Sequence, residues 1–126
     1  KTSTPGLFMN AEKSENDIQQ LLEKGKSFTK EALIGYYEAM IARPDRTKLL
    51  KDAKIPVLII AGEHDKAVPF EHSLKQSHMP SNCSFNVLRN SAHMGMLEET
   101  EASNLILANF LQNTVINGAT ADSILR

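Results

Sequence analysis

Along the first half of the chain, apolar residues recur at helical spacing. Ile18, Leu21 and Leu22 stand at i, i+3 and i+4 behind Ser14, which is followed by Glu15 and Asp17. Serine is a favoured N-cap, and acids in the first turn suit the positive end of a helix. The spacing predicts a helix from Ser14 that stops at Gly25, where a glycine can take the left-handed conformation. Leu33, Tyr36, Tyr37, Met40 and Ile41 predict a second helix from about Thr29. It ends at Arg43-Pro44, because the residue before proline avoids helical angles. Pro44 to Asp52 leaves room for one short helical turn carrying Leu49 and Leu50.

From Ile55 the period changes. Ile55-Pro56-Val57-Leu58-Ile59-Ile60-Ala61 is a continuous apolar, β-branched run ended by Gly62, the pattern of a strand buried on both faces of a parallel sheet. Phe70 to Ser77 predicts a short helix, Pro80-Ser81-Asn82 a break, and Ser84 to Leu88 a weaker strand with Phe85 and Val87 on one face. A helix is predicted from about Glu98 to Gln112. Glu98, Glu99 and Glu101 lie near its start as a solvated, dipole-compensating face, and a stripe of Leu107, Phe110 and Leu111 should pack on the sheet. Residues 113–126 form a polar tail whose Val115, Ile116, Ile124 and Leu125 could extend the helix or dock on a partner. Strand, helix, strand, helix is a βαβα order, which implies an α/β fold with two adjacent parallel strands and a right-handed crossover.

Length and charge narrow the partners. One domain is expected of 126 residues. Fourteen basic against fifteen acidic residues leave a net charge of −1, which gives no electrostatic footprint for nucleic acid or for an anionic membrane. Cys83 is the single cysteine, so neither an internal disulfide nor a thiolate zinc cluster can form, and a reducing, cytoplasmic location is expected. No apolar window reaches membrane-spanning length, and the opening KTSTPG does not read as a signal peptide.

Sites in open α/β sheets lie beyond the carboxyl ends of the strands. Two loops qualify: Gly62 to Pro69 after the first strand, and Asn90 to Leu97 after the second. Neighbouring strands lie about 4.8 Å apart, close enough for Asp65 to reach His93. A carboxylate that fixes an imidazole is the orienter and base of nucleophilic catalysis. Asp65 can also be read as a turn residue that stabilises its own loop, with Glu63 the substitute acid. His64, His72 and His78 match no zinc spacing and read as surface histidines. Cys83 precedes a strand and reads as an idle thiol. Met94 is the candidate wall of a substrate pocket, weighed against methionine as core filler.

The stretch IPVLIIAGEHD, from Ile55 to Asp65, followed by Val68-Pro69, resembles the acid-bearing segment of α/β-hydrolase-fold enzymes. Ser91 to Glu98, SAHMGMLE, resembles the histidine loop of that family, and the two candidates lie 28 positions apart in the order the family uses. The resemblance implies that Asp65 is the triad acid and His93 the base, that Gly62 allows the turn after its strand, and that Glu98 opens the closing helix. It further implies a partial α/β-hydrolase fold. Residues 1–50 would come from the helical cap that covers the substrate pocket, 51–112 from the C-terminal part of the core, and 113–126 would be the tail.

The family's nucleophile stands on a G-x-S-x-G turn before the acid. No such string occurs here; the nearest, Gly25-Lys26-Ser27-Phe28-Thr29, lacks the second glycine. The chain is therefore expected to be the C-terminal portion of a hydrolase, inactive alone, whose parent acts on a small ester-like substrate without a cofactor or metal. A serine nucleophile would suit esterase, lipase, lactone or carbon–carbon bond chemistry, and an aspartate would suit epoxides or halides. The alternative expectation is a non-catalytic α/β module that pairs with a second copy through an exposed strand edge, or with a missing N-terminal half.

Overall fold

The computed structural model describes the backbone of residues 3–124 and the side chains of residues 3–114. A 3-10 turn at Thr4–Leu7 leads to three helices, α1 (Glu15–Lys26), α2 (Lys30–Ile41) and α3 (Thr47–Lys51). The βαβα order follows as β1 (Val57–Gly62), α4 (Phe70–Ser77), β2 (Cys83–Leu88) and then a helix broken in two, α5 (Gly95–Glu98) and α6 (Thr100–Ile124).

The two strands are parallel neighbours with Val57 opposite Cys83 and Gly62 opposite Leu88, so their carboxyl ends finish level. The crossover helix α4 packs on the sheet, and the Phe70 and Phe85 rings meet edge to face at 5.8 Å, the arrangement aromatic quadrupoles favour. The best-buried apolar side chains are Phe8, Ile18, Ala61, Leu88 and Ala92. Three of these belong to the strand ends and the loop beyond them, so packing is tightest where the two candidate loops emerge.

Several expectations are corrected. β1 starts at Val57, and Ile55 is 71% exposed ahead of it. Val57 to Ile60 are only half-buried, because β1 has one strand neighbour among the described residues. Cys83 begins β2 instead of preceding it. Gly25 does not stop α1, which runs on to Lys26; no glycine among the described residues has a positive φ. Ser14 holds the N-cap position without a side-chain cap bond and is buried instead. The start of α2 near Thr29 holds, and there the Thr29 hydroxyl accepts from Ala32 N–H at 3.2 Å as an N-cap.

The closing helix differs most. It breaks at Glu99, and the face of α6 turned to the protein carries Ser103, Ile106 and Phe110. Leu107 and Leu111 of the expected stripe are about half exposed. The helix continues through Ile124, so residues 113–124 of the expected tail are helical; the side chains of Val115, Ile116 and Ile124, and all of Leu125, lie outside the described residues. Every residue of α2 is exposed, Ile41 to 84%, so its apolar side chains Leu33, Ile34, Tyr36, Tyr37, Met40 and Ile41 are left uncovered among the described residues.

Candidate active site

Beyond the last paired residues, the two strand-end loops stay bonded to each other. Glu63 N–H donates to Leu88 C=O at 2.9 Å and His64 N–H to Ser91 C=O at 3.0 Å. This continuation requires that Gly62 have no side chain. A Cβ there would lie 2.0 Å from the Ala92 carbonyl oxygen and 2.8 Å from that of Ser91. The expectation that Gly62 eases a turn is therefore replaced by another reason: it lets the histidine loop cross directly over the end of β1.

Asp65 makes two sets of contacts, one with each oxygen. Its Oδ1 accepts Ala67 N–H at 2.8 Å and Val68 N–H at 2.9 Å, closing its own loop. Its Oδ2 stands 2.8 Å from His93 Nδ1. The Asp65 side chain is 12% exposed and that of His93 40%. Burial alone would push the Asp65 carboxyl up, but the bonds from Val68 N–H, His93 and Ala67 N–H outweigh it and hold the group below its ordinary 3.8. The His93 backbone N–H donates to Leu7 C=O at 3.0 Å. Among the described residues no hydrogen bond engages Nε2, which leaves that nitrogen free to exchange a proton with a group placed over it.

The loop that carries His93 is held by two acids read from the sequence as solvated. Glu98 accepts Ala92 N–H at 2.8 Å on Oε2 and Met9 N–H at 2.6 Å on Oε1. Glu99 accepts, on Oε2, Asn90 N–H at 2.9 Å and the hydroxyl of fully buried Ser91 at 2.6 Å. Glu98 therefore ends α5 and does not open the long helix. A signal for this was present in the sequence: the small-residue loop Asn90 to Ala92 offers backbone donors, and two adjacent carboxylates follow within hydrogen-bonding reach.

A cleft of about 310 Å³ opens over the pair, lined among others by Ala61, Asp65, Val68, Ala92, His93 and Met96. The methionine on its wall is Met96, while the expected Met94 is half-buried just before α5. No residue of α1 or α2 lines this cleft. A larger, open groove of about 1150 Å³ lies between α3 and α4 and takes in His72, but neither Asp65 nor His93. His64 and His78 are exposed, Glu63 contributes its backbone only, and no metal-binding cluster is found among the described residues. Cys83 lies at the opposite end of the sheet, and burial raises its thiol pKa, which disfavours the reactive thiolate. No helix among the described residues is long and apolar enough to cross a membrane.

No family model matches the sequence. Protein ABHD8 of Mus musculus is 29% identical over 97 residues, which cover 74% of this chain and 22% of that protein. An esterase from Thermogutta terrifontis superposes with a TM-score of 0.58 at 25% identity, over 60% of this chain and 28% of its own. An alpha/beta fold family hydrolase from Bacillus anthracis gives a TM-score of 0.60 at 23% identity, over 81% of this chain and 36% of its own. The chain has part of the α/β-hydrolase fold. A serine hydrolase involved in carbazole degradation, CarC, agrees at a TM-score of 0.56 and 20% identity, over 64% of this chain and 31% of its own. The chain thus spans about a fifth of the length of its curated relative and about a third of these solved hydrolases.

Proposed function

We propose that this partial α/β-hydrolase fold supplies the acid and the base of a hydrolase site, with Asp65 orienting His93 and His93 exchanging the proton of a nucleophile held on another segment. The observation that carries this reading is the 2.8 Å contact between Asp65 Oδ2 and His93 Nδ1 beyond the level ends of two parallel strands. Asp65 fixes the tautomer with the proton on Nδ1, so that Nε2 accepts the nucleophile's proton and returns it to the leaving group. The substrate is a small ester or related hydrolysable compound seated over the cleft beside Met96. The chain contains no G-x-S-x-G turn, so by this reading the pair has nothing to activate when the chain is alone.

An assay with short-chain nitrophenyl esters tests this directly. No turnover above buffer is expected from the chain, and none from His93→Ala. Turnover that His93→Ala abolishes would overturn the claim that the nucleophile lies elsewhere. The coding sequence ahead of Lys1 tests the rest: a buried-strand pattern leading into G-x-S-x-G is expected, or G-x-D at that turn if the substrate is an epoxide or halide. An upstream frame with neither would sink the reading.

A second reading rests on a different observation. β1 is bonded to β2 on one side only among the described residues, and an unpaired edge recruits strands from other chains. By this reading two copies pair through β1 across a two-fold axis. Light scattering coupled to gel filtration is then expected to give twice the 14.0 kDa chain mass; a monomer across the micromolar range counts against it.

A further inference from the structure

We propose that Glu98 is the positioning residue of His93, binding the histidine loop and the N-terminal segment together through its two oxygens; this rests on the reading of His93 as the base. Both groups that face Glu98 are backbone donors. Ala92 N–H, one residue before His93, uses Oε2 at 2.8 Å, and Met9 N–H uses Oε1 at 2.6 Å. Two residues before Met9, Leu7 C=O accepts the His93 backbone N–H at 3.0 Å. His93 is therefore fixed on three sides: by Asp65 on its ring, by Leu7 on its own amide, and by Glu98 through the peptide before it.

The chemistry demands a carboxylate. Two donors converge on one side chain, and only an ionised carboxyl presents an acceptor on each branch. A glutamine presents one carbonyl oxygen and one NH2 group, so either Ala92 or Met9 would face another donor. Ala92 N–H is the less exposed of the two and would keep the oxygen, because an unpaired buried donor is the costlier loss. Met9 would then come away, and Leu7 with it. Glu99 differs: both of its bonds end on the single oxygen Oε2, which a glutamine oxygen can replace.

The test follows the His93 ring proton on Nδ1 in the intact chain by NMR, together with its solvent exchange. In Glu98→Gln the protection of that proton is expected to fall roughly tenfold or more, the loss of one hydrogen bond to a charged group. The carboxyl titration of Asp65 should move up toward its ordinary value as its contact with His93 loosens. Glu99→Gln and Glu101→Gln should leave both readouts within about twofold of wild type. Glu98→Ala should match or exceed Glu98→Gln; if it fails to fold, the near-isosteric glutamine variant still decides. A folded Glu98→Gln protein with unchanged His93 protection, or a Glu99→Gln protein as perturbed as Glu98→Gln, overturns the proposal. Failure of the hydrolase reading would show in the ester assay or the upstream sequence, and these exchange rates do not depend on it.

Discussion

Replacing Gly62 with alanine is expected to destabilise the chain by about 3 kcal/mol or more, at the upper end of what overpacking costs. The new methyl would sit 2.0 Å from the Ala92 carbonyl oxygen, 2.8 Å from that of Ser91 and 2.9 Å from the Ala92 carbonyl carbon. All three are backbone atoms, so no rotamer change relieves the contact. The histidine loop must lift, which breaks the His64 N–H bond to Ser91 C=O and draws His93 from Asp65. Urea unfolding measures the loss. Gly25→Ala is the matched control: nothing lies within 4 Å of the added methyl, and alanine inside a helix should stabilise by about 0.5–1 kcal/mol. A Gly62→Ala protein as stable as wild type would mean that the two loops do not cross as described.

The second large effect is expected from Asp65→Asn. The amide oxygen can still accept Ala67 and Val68 N–H, so the 65–68 loop and the fold should survive. Its NH2 group would face His93 Nδ1, which can meet a donor only by giving up its own proton. The ring should then carry its proton on Nε2, the nitrogen that must accept if His93 is the base. Nitrogen-15 shifts of the imidazole read the tautomer directly, and in a complete enzyme the cost to turnover should approach about 10⁴-fold, as it does where an orienting aspartate is amidated. A ring still protonated on Nδ1 in the variant would count against an orienting role for Asp65.

The same carboxyl sets a pH dependence. Its pKa is lowered in the folded chain, so its contribution to stability is complete above the unfolded value of about 3.8 and lost as pH falls through the lower folded value. Asp65→Asn should flatten the acid limb of the stability profile below about pH 4.

What the sequence made legible were the features that depend on local pattern. The β-branched run ending at Gly62 marked β1, and punctuation at Pro80-Ser81-Asn82 separated α4 from β2. An acid and a histidine at the ends of consecutive strands could be paired because neighbouring parallel strands leave little freedom in where their loops emerge. The misreadings around the site involve contacts made at a distance. Gly62 has an ordinary backbone conformation, and its necessity comes from Ala92, 30 positions away. Glu98 and Glu99 have the composition of a helix start, and only the path of the loop before them turns their carboxylates toward amides. On α6, Phe110 of the expected stripe faces inward, but Ile106 joins it there while Leu107 and Leu111 are about half exposed.

The Met9 to Glu98 bond spans 89 positions, whereas Asn90 to Glu99 spans nine. Each doubling of a flexible loop costs about 0.6 kcal/mol in closure entropy, so from the open chain the longer contact is about 2 kcal/mol dearer to form. The short-range bonds of Glu99 can shape the histidine loop as soon as α5 exists, while the N-terminal strap must close a loop about ten times longer. The strap's hold on the histidine loop is therefore expected to come late in assembly, and an observer of refolding should see sheet and helix signals mature before Met9 N–H is protected by Glu98.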